Sequence, residues 1–268
     1  MGEQTKTKIT PCLSENIAHM EKLFSVCDDI KKKQMNLGKN GDVPCYLTFI
    51  EVSVDMGTSA LSEVLKYLRT IEKEEIYDVL SQNALGISDA TFFSTIEEAA
   101  DGLLTGETIL FVDGFAQAVK IPDTGYPRMS LSEADSEKVI RGSNEGFSDS
   151  VKQNAALIRK RVRSPKVKVK QLKTGIRSNT NVYLVYMDDL VYPGLLKEIE
   201  RRMDGFEIDG VLDSGVIEQL TEEKWYSPFP QFQTTERPDR AAMSILEGRV
   251  ILLVDNSPVA LILPTDYN

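Results

Sequence analysis

The stretch Asp239–Pro264, DRAAMSILEGRVILLVDNSPVALILP, predicts a helix, a strand, a tight turn and a second strand. Apolar residues recur at intervals of three and four from 241 to 246, which indicates an amphipathic helix. Gly248 is expected to end this helix, because only glycine enters the left-handed conformation without steric cost. The unbroken apolar run 250–254 is typical of a strand buried on both faces. Turn-forming residues at 255–257 then separate it from the second strand.

The same unit occurs earlier in the chain, in residues 99–122, AADGLLTGETILFVDGFAQAVKIP. These residues align without a gap on residues 241–264, and ten of the 24 aligned positions are identical. Asp113-Gly114 stands at the turn of this copy, and Asp-Gly is the strongest short-range signal for a hairpin. The repeat predicts two similar subdomains. It also predicts that Gly106 and Gly248 both have positive φ at the ends of helices.

The duplication extends upstream of this unit. Residues 31–50 align on residues 168–187, and residues 13–17 resemble residues 147–151. Each half therefore reads as helix, strand, loop, strand, helix, short helix, helix, strand, hairpin and strand. The identical pairs in the first alignment are Gln34 and Gln171, Gly38 and Gly175, Tyr46 and Tyr183, and Leu47 and Leu184.

We therefore expect an α/β (α+β) fold of two duplicated subdomains, residues 1–130 and 131–268, each with a mixed sheet covered by helices. The length of 268 residues suits two domains of ordinary size. Residues 123–136 carry turn formers and few apolar side chains, so they are the best linker candidate. The sequence leaves open whether each half folds from its own residues or the hairpins exchange between halves.

The composition predicts a globular protein that is soluble and cytosolic in origin. Apolar residues make up 41% of the chain and charged residues 27%. No apolar run approaches the ~20 residues that a membrane-spanning helix needs. The first dozen residues are polar and contain no apolar segment of the kind found in secretory signals.

Charge and motif content exclude several classes of function. A formal net charge of −10 argues against a general nucleic-acid binder. The three cysteines, Cys12, Cys27 and Cys45, have no CxxC spacing, and His19 is the only histidine, so neither a metal site nor a disulfide framework is expected. Phosphate-loop, dinucleotide-binding, HExxH and GxSxG motifs are missing from the sequence. We therefore predict no cofactor and no catalytic residue.

Basic residues are concentrated between positions 150 and 187, a range that contains no Asp or Glu. Lysines alternate with valines from 166 to 170, so one face of the predicted strand is basic and the other is apolar. Two interpretations remain open: a solvated face, or a surface that contacts anionic lipid headgroups or an acidic partner. The candidate surface consists of Arg161, Arg163, Lys166, Lys168 and Lys170.

Two polar segments carry further motifs. The first reads VIRGSNEGF at 139–147 and leads into NAALIRKR at 154–161; the second reads SPFP at 227–230, TERPD at 235–239 and GRV at 248–250. These motifs, in this order, resemble the A subunits of spore-germination nutrient receptors, the GerA family. The resemblance covers essentially the whole chain. One departure is that the family often has Pro and Arg where this sequence has Ser143-Asn144.

The resemblance implies a function. Such A subunits have a soluble N-terminal region followed by a membrane-spanning region, and they act with B and C subunits in the spore inner membrane. Nutrients such as amino acids, sugars or nucleosides trigger them, and ion release begins germination. We therefore expect this chain to be the N-terminal sensory or signalling domain on the cytoplasmic side, with a cleft between its subdomains, somewhat like solute-binding proteins. The alternative is a small-molecule hydrolase or transferase that uses carboxylates.

The polar motifs also supply the candidate residues for ligand or interdomain contact. Both a structural role and direct ligand contact remain open for them. Pro238 fixes φ at the start of a helix, and Thr235 or Glu236 can cap that helix. Arg237 can form an interdomain ion pair with Glu236. The candidates are Arg141, Gly142, Asn144, Gly146, Thr235, Glu236, Arg237, Asp239 and Arg249.

Overall fold

The chain separates into two compact units. Unit 1 comprises Met1–Ser25 and Asp29–Pro127, and unit 2 comprises Val26–Asp28 and Arg128–Asn268. The predicted linker and the predicted boundary at 130 lie outside the described residues, so that boundary stays a prediction. The computed structural model describes residues 6–52, 60–86, 91–121, 145–174, 179–204 and 233–263.

Unit 1 forms an antiparallel sheet with helices in the part of the chain that the structure describes. Its helices are α1 (Leu13–Leu23), α2 (Ala60–Leu68), α3 (Lys73–Ser81) and α4 (Ile96–Leu104). Its strands are β1 (Ile30–Leu37), β2 (Val43–Ile50), β3 (Thr91–Phe93), β4 (Thr108–Val112) and β5 (Ala118–Ile121). The strand order is β1-β2-β4-β5-β3.

Unit 2 repeats this arrangement. Its helices are α5 (Val151–Arg161), α6 (Pro193–Asp204) and α7 (Pro238–Leu246). Its strands are β6 (Val167–Thr174), β7 (Thr180–Met187), β8 (Gln233–Thr235), β9 (Val250–Val254) and β10 (Ala260–Leu263). The strand order β6-β7-β9-β10-β8 is the order of unit 1, so the predicted repeat is confirmed. Each hairpin pairs within its own unit, β4 with β2 and β9 with β7.

The ladders between these strands are antiparallel, where the sequence had suggested mixed sheets. The parallel pairing seen among the described residues is a bridge between Cys27 and Val169. Connectivity accounts for the hairpin pairs, because short turns join β1 to β2 and β4 to β5, whereas parallel neighbours need a crossover of a dozen or more residues. The α+β fold class is confirmed.

Both faces of each sheet are covered. In unit 2, Ile158 of α5 and Ile245 of α7 join the core on one face of the sheet. Ile199 of α6 joins Leu184 and Leu252 on the other face. All five positions of β4 and of β9 are buried. This double burial explains why these strands read as unbroken apolar runs and do not alternate.

A buried asparagine anchors the segment before the first helix of each unit. Asn16 is 1% exposed; its Oδ1 accepts the Thr10 N–H at 3.0 Å and its Nδ2 donates to the Thr10 carbonyl at 2.7 Å. Asn154 makes the same pair of bonds with Ser148, at 2.8 and 2.6 Å. Asn16 is therefore equivalent to Asn154, and the sequence alignment of 13–17 on 147–151 was wrong by four residues. A shift of about one helical turn preserves the apolar face, which is why the sequence concealed the error.

The aspartate of each hairpin turn caps a distant helix. Asp113 Oδ1 accepts the N–H of Leu13, the first residue of α1, at 3.2 Å. Asp255 Oδ1 accepts the N–H of Val151, the first residue of α5, also at 3.2 Å. The first N–H groups of a helix have no acceptor inside the helix, so each of these carboxylates supplies a hydrogen-bond acceptor that its helix lacks. The repeated aspartate thus serves the helix as well as the turn.

The predicted glycines do have positive φ, +92° at Gly106 and +84° at Gly248. Gly248 donates to the Ile245 carbonyl at 3.1 Å, and the next N–H, that of Arg249, donates to Ser244 at 3.1 Å. This pair of bonds is a Schellman motif, which satisfies the last carbonyls of α7. A Cβ at Gly248 would also lie 2.7 Å from the carbonyl oxygen of Leu190, so glycine is needed for space as well.

Replacing Gly106 or Gly248 by valine should lower the free energy of unfolding by about 1 kcal/mol or more, because a β-branched residue is forced into the left-handed region. Urea unfolding followed by circular dichroism measures the change. Leu246→Val is the matched control, since Leu246 lies within the helix and is partly exposed. Glycine variants that unfold at the same urea concentration as the control would contradict this assignment.

Replacing Asn16 or Asn154 by aspartate should lower the free energy of unfolding at neutral pH by about 2 kcal/mol or more, because a charge is buried and the amide donor is lost. The loss should shrink in acid, where the protonated carboxyl can donate again. Gln153→Glu, at a half-buried neighbouring position, serves as control. Thermal unfolding across pH tests this; a loss of equal size at all pH values would count against it.

Candidate functional site

The two polar motifs predicted from the sequence meet in unit 2. The Phe147 N–H donates to the Glu236 carbonyl at 2.9 Å, so residues 145–147 run beside the start of α7. The end of α5 lies at the same place, because α5 packs beside α7. The side chains gathered here form what we call the charge cluster: Glu145, Lys160, Arg161, Arg237 and Asp239.

Glu145 binds the cationic end of α5. Its Oε2 accepts from Arg161 Nη2 at 2.6 Å, and its Oε1 lies 3.5 Å from Lys160 Nζ. The Glu145 and Arg161 side chains are only 13% and 18% exposed, so the pair is shielded from water. Arg161 also donates to the Leu157 carbonyl at 2.9 Å, near the helix C-terminus where positive charge is favoured. Glu145 therefore fixes the preceding segment to α5.

Arg237 and Asp239 form a bidentate pair at the start of α7. Arg237 Nε donates to Asp239 Oδ1 at 3.1 Å, and Arg237 Nη2 donates to Oδ2. The hydrogen bonds from Arg237 hold the pKa of Asp239 below its usual value, and the nearby charge of Arg161 acts in the same direction.

The local roles predicted from sequence need two corrections. Arg237 pairs with Asp239, two residues later and in the same unit, where Glu236 had been expected as an interdomain partner. Thr235 Oγ1 accepts the Arg237 N–H at 3.1 Å, and Arg237 itself is the residue that precedes the helix, with no side-chain cap. The bidentate fit of guanidinium to carboxylate explains the choice of Asp239. Pro238, as the first helical residue, has no N–H that needs a cap.

The structure brings together only part of the predicted ligand set. Gly146, which is buried, and residues 235–239 lie at the charge cluster. Arg249 lies at the opposite end of α7 and pairs with Glu247 at 3.0 Å. Sequence reasoning missed Glu145. Glu145 lies inside the motif VIRGSNEGF, between the two selected residues Asn144 and Gly146, and that position is the signal that could have found it. Three predicted residues lie outside the described part of the chain: Arg141, Gly142 and Asn144.

The predicted basic surface is largely covered. Lys168 is 4% exposed, and Lys170 Nζ binds Glu200 of α6 at 2.8 Å. The alternation along β6 was right, but the lysine face points toward the layer formed by α6. Arg163 and Lys166 are exposed, whereas Arg161 belongs to the charge cluster. Contact with anionic lipid stays a prediction, and these two exposed residues are the ones left to make it.

The described residues were also searched for a membrane-spanning helix, a metal site and a reactive thiol. No helix in them combines the length and apolar character needed to cross a membrane. They contain no group of three or more His, Cys, Asp or Glu side chains arranged to hold a metal ion. Burial raises the pKa of the Cys45 thiol to about 12, so this thiol stays protonated at neutral pH and is a poor nucleophile.

Comparison with known proteins connects this fold to spore germination. A family model described as Bacillus/Clostridium GerA spore germination protein matches residues 18–268. The chain is 36% identical over 261 residues to the uncharacterized membrane protein YfkQ of Bacillus subtilis, a match that covers 97% of this chain and 50% of that protein. It is 31% identical to spore germination protein A1 of Bacillus subtilis, with 98% of this chain and 53% of that protein covered.

A solved structure shows the same fold. The N-terminal domain of the A subunit of the Bacillus megaterium spore germinant receptor GerK3 matches with a TM-score of 0.75 and 26% identity, and 99% of each chain is covered. The chain spans about half the length of the curated relatives that it matches.

Replacing Arg237 by glutamine should raise the pKa of Asp239 toward its ordinary value of about 4, because the bidentate hydrogen bonds are lost. NMR titration of the carboxyl carbon measures it, and Arg240→Gln, an exposed arginine on the same helix, is the control. A depressed pKa in the folded state stabilises the protein above the unfolded-state pKa. The difference in unfolding free energy between wild type and Arg237→Gln should therefore disappear as pH falls through the folded-state pKa. A difference independent of pH would exclude this linkage.

Proposed function

Because the chain belongs to the GerA family of spore germination proteins, we propose that it acts as the N-terminal sensory or signalling domain of a germinant receptor A subunit. The observation that carries the proposal is the match between its duplicated α+β fold and the N-terminal domain of the GerK3 A subunit, over 99% of both chains. Family membership along residues 18–268 supports the same role. The domain takes part in nutrient-triggered germination.

The relatives also suggest the partners and the location that we propose for the complete protein. The chain matches about half of each of these relatives, one of which is named a membrane protein. We infer that the complete protein works with B and C subunits in the spore inner membrane. This domain then lies on the cytoplasmic side. Its stimulus is a small nutrient, either an amino acid, a sugar or a nucleoside.

The charge cluster supports a signalling role more than direct ligand contact. Glu145 and Asp239 each already bind an arginine, Arg161 and Arg237 respectively. A ligand would have to displace these partly buried pairs, and a buried charge left without its partner is costly. Glu145 instead binds the end of α5, and the Phe147 N–H bonds the same segment to the start of α7 through the Glu236 carbonyl. Coupling to other subunits through these two helices is therefore the mode that we favour over nutrient binding.

An enzymatic role is the hypothesis with less support. Several relatives are named as spore germination or sporulation proteins, which supports a receptor function. The alternative of a hydrolase or transferase that uses carboxylates gains no support from the charge cluster, since its carboxylates are engaged by arginines. We propose that the domain is not an enzyme.

Deleting this chain from the A subunit in the organism that carries it should abolish or slow germination in response to at least one nutrient class. The fall in optical density of a spore suspension, after addition of amino acids, sugars or nucleosides, measures the response. Restoring the wild-type chain is the control for polar effects on neighbouring genes. Spores that germinate normally with every nutrient would overturn the proposed function.

A thermal-shift screen of the purified domain separates the two modes of action. A nutrient present at a hundred times its dissociation constant adds about 2.7 kcal/mol to the stability of a domain that binds it. Coupling without binding predicts no shift for any nutrient, together with the germination defect above. A clear shift with one nutrient would establish direct binding and contradict the mode that we favour.

A further inference from the structure

The outer edge of β6, the first strand of the unit 2 sheet, binds a short extended segment of the chain. The Val169 N–H donates to the Val26 carbonyl at 3.1 Å, and the Asp28 N–H donates to the Val169 carbonyl at 2.9 Å. Cys27 lies between them and forms the parallel bridge to Val169. Asp28 Oδ2 also accepts the Gln171 N–H at 2.7 Å, so a carboxylate continues the pairing. This edge therefore binds a strand that ends in an acid.

The equivalent edge of unit 1 belongs to β1. The Glu51 N–H donates to the Asp29 carbonyl at 3.0 Å, so these two residues are a hydrogen-bonded pair of the antiparallel ladder between β1 and β2. Hydrogen-bonded pairs alternate along such a ladder, so the even-numbered residues of β1 direct their N–H and C=O groups away from β2. Lys32 and Gln34 are the outward-directed residues in the middle of the strand.

The two edges match residue by residue. The repeat aligns Lys32 with Val169, and it aligns Gln34 with Gln171, which is identical. Both residues of β1 are exposed, and no backbone group in the part of the chain that the structure describes pairs with their outward N–H and C=O groups. β1 thus offers the same donors and acceptor that β6 uses to bind a strand.

Charge indicates which kind of segment fits the edge of β1. Residues 31–33 are three consecutive lysines, and among the described residues only Lys31 of the three has an ion-pair partner, Glu51 at 3.5 Å. Arg69 adds a cation beside the same strand, because its Nη2 lies 3.5 Å from Met35 Sδ. Positive charge beside open backbone groups favours an acidic strand.

Neighbouring acids do not cancel this charge. Asp28 is engaged with unit 2, Asp29 is 4% exposed, and both precede residue 33 by about 13 Å or more of extended chain, which exceeds the screening length of about 10 Å. Burial raises the pKa of Tyr46 on β2, and the charge of Glu21 on α1 adds to the effect, so Glu21 is one acid close to the middle of the sheet edge. Two lysines and an arginine outnumber it.

Lysine on an edge strand also protects proteins against unwanted pairing. β6 shows that lysines do not prevent pairing in this fold. It carries Lys168, Lys170 and Lys173, and it still binds the segment Val26–Asp28. The strand bound there has an acid at its end, so lysines on this edge select the charge of the added strand.

We infer that the outer edge of β1 binds an extended acidic segment of a partner protein as an added parallel strand. A carbonyl of the segment accepts the Lys32 N–H, an amide of the segment donates to the Lys32 carbonyl, and an Asp or Glu side chain accepts the Gln34 N–H. Further acids of the segment meet Lys33 and Arg69. The inference goes beyond the proposed role in germination and does not rest on it, because it uses only the strand edges of the two units.

Binding of a designed peptide by the purified chain tests the inference. The probe is a fluorescent eight-residue peptide of alternating valine and aspartate, because valine favours an extended chain. An alternating valine–lysine peptide controls for charge. The valine–aspartate peptide methylated at every backbone nitrogen keeps its charge and loses its amide donors. Fluorescence anisotropy should show binding of the first peptide only, and that binding should weaken with added salt.

Variants of β1 then locate the binding edge. Gln34→Pro removes an outward N–H, leaves the ladder to β2 and every lysine in place, and should weaken binding about tenfold or more. Lys32→Gln/Lys33→Gln should weaken binding and reduce its salt dependence. Arg163→Gln/Lys166→Gln is the matched control, because it removes two exposed cations from unit 2, and it should leave binding unchanged.

Amide hydrogen exchange gives a second readout on the unmodified chain. Bound peptide should slow exchange at the Lys32 and Gln34 amides, which are the outward donors. Circular dichroism establishes whether Gln34→Pro is folded; if it is not, hydrogen exchange and the methylated peptide decide the matter. Equal binding of the methylated peptide, unchanged exchange at both amides, or unchanged binding by folded Gln34→Pro would overturn the inference.

Two further measurements exclude other occupants of this edge. Sedimentation velocity over a range of concentrations tests for a second copy of the chain, and neutral and anionic vesicles test for lipid. The inference expects neither interaction to depend on β1. Self-association that Gln34→Pro removes would assign the edge to a second copy. Vesicle binding that Lys32→Gln/Lys33→Gln removes would assign the lysines to lipid, and either result would refute an acidic protein partner.

Discussion

Burial of both faces of the sheet is the constraint on which the rest of the structure depends. The central hairpin strands of each unit, β4 with β5 and β9 with β10, have helices on both sides, so their side chains are apolar at nearly every position. Helices must then approach from both directions. The helix that precedes each hairpin has to end abruptly for its strand to enter the sheet, and Gly106 and Gly248 allow this by taking positive φ.

Local signals made much of this fold predictable. Each copy of the gapless repeat spans 24 residues, and the glycine after the helix and the aspartate of the turn lie inside that span, so local sequence was enough to predict them. Long-range contacts were not predictable in this way. The bonds from Asp113 to Leu13 and from Asp255 to Val151 join positions about 100 residues apart, which no local pattern reveals. The same limit explains the four-residue error in aligning α1 with α5.

The candidate site was also predictable only where its features are local in sequence. The motif at 235–239 was selected from its resemblance to the GerA family and from its proline-led helix start, which are both local features of the sequence. The pair between Arg237 and Asp239 is also local, but the sequence alone did not distinguish it from a pair with Glu236. Adding Glu145 requires knowing that its segment lies beside α5 and the start of α7. The lysines of β6 show the converse. Alternation correctly separated two faces, yet it could not tell that α6 covers the basic one and that Glu200 binds Lys170 there.

The order of strands also has a consequence for synthesis on the ribosome. β4 lies between β2 and β5 in the sheet, yet it is among the last parts of unit 1 to be translated, and β9 has the same place in unit 2. A nascent chain that stops short of Thr108 lacks β4, so β2 has no inner neighbour, and it lacks Asp113, so α1 has no cap. Each unit therefore condenses late, once its hairpin has emerged, and contacts of such sequence separation make folding slow. Because the fold is duplicated, this delay between synthesis and folding occurs twice, once for each unit.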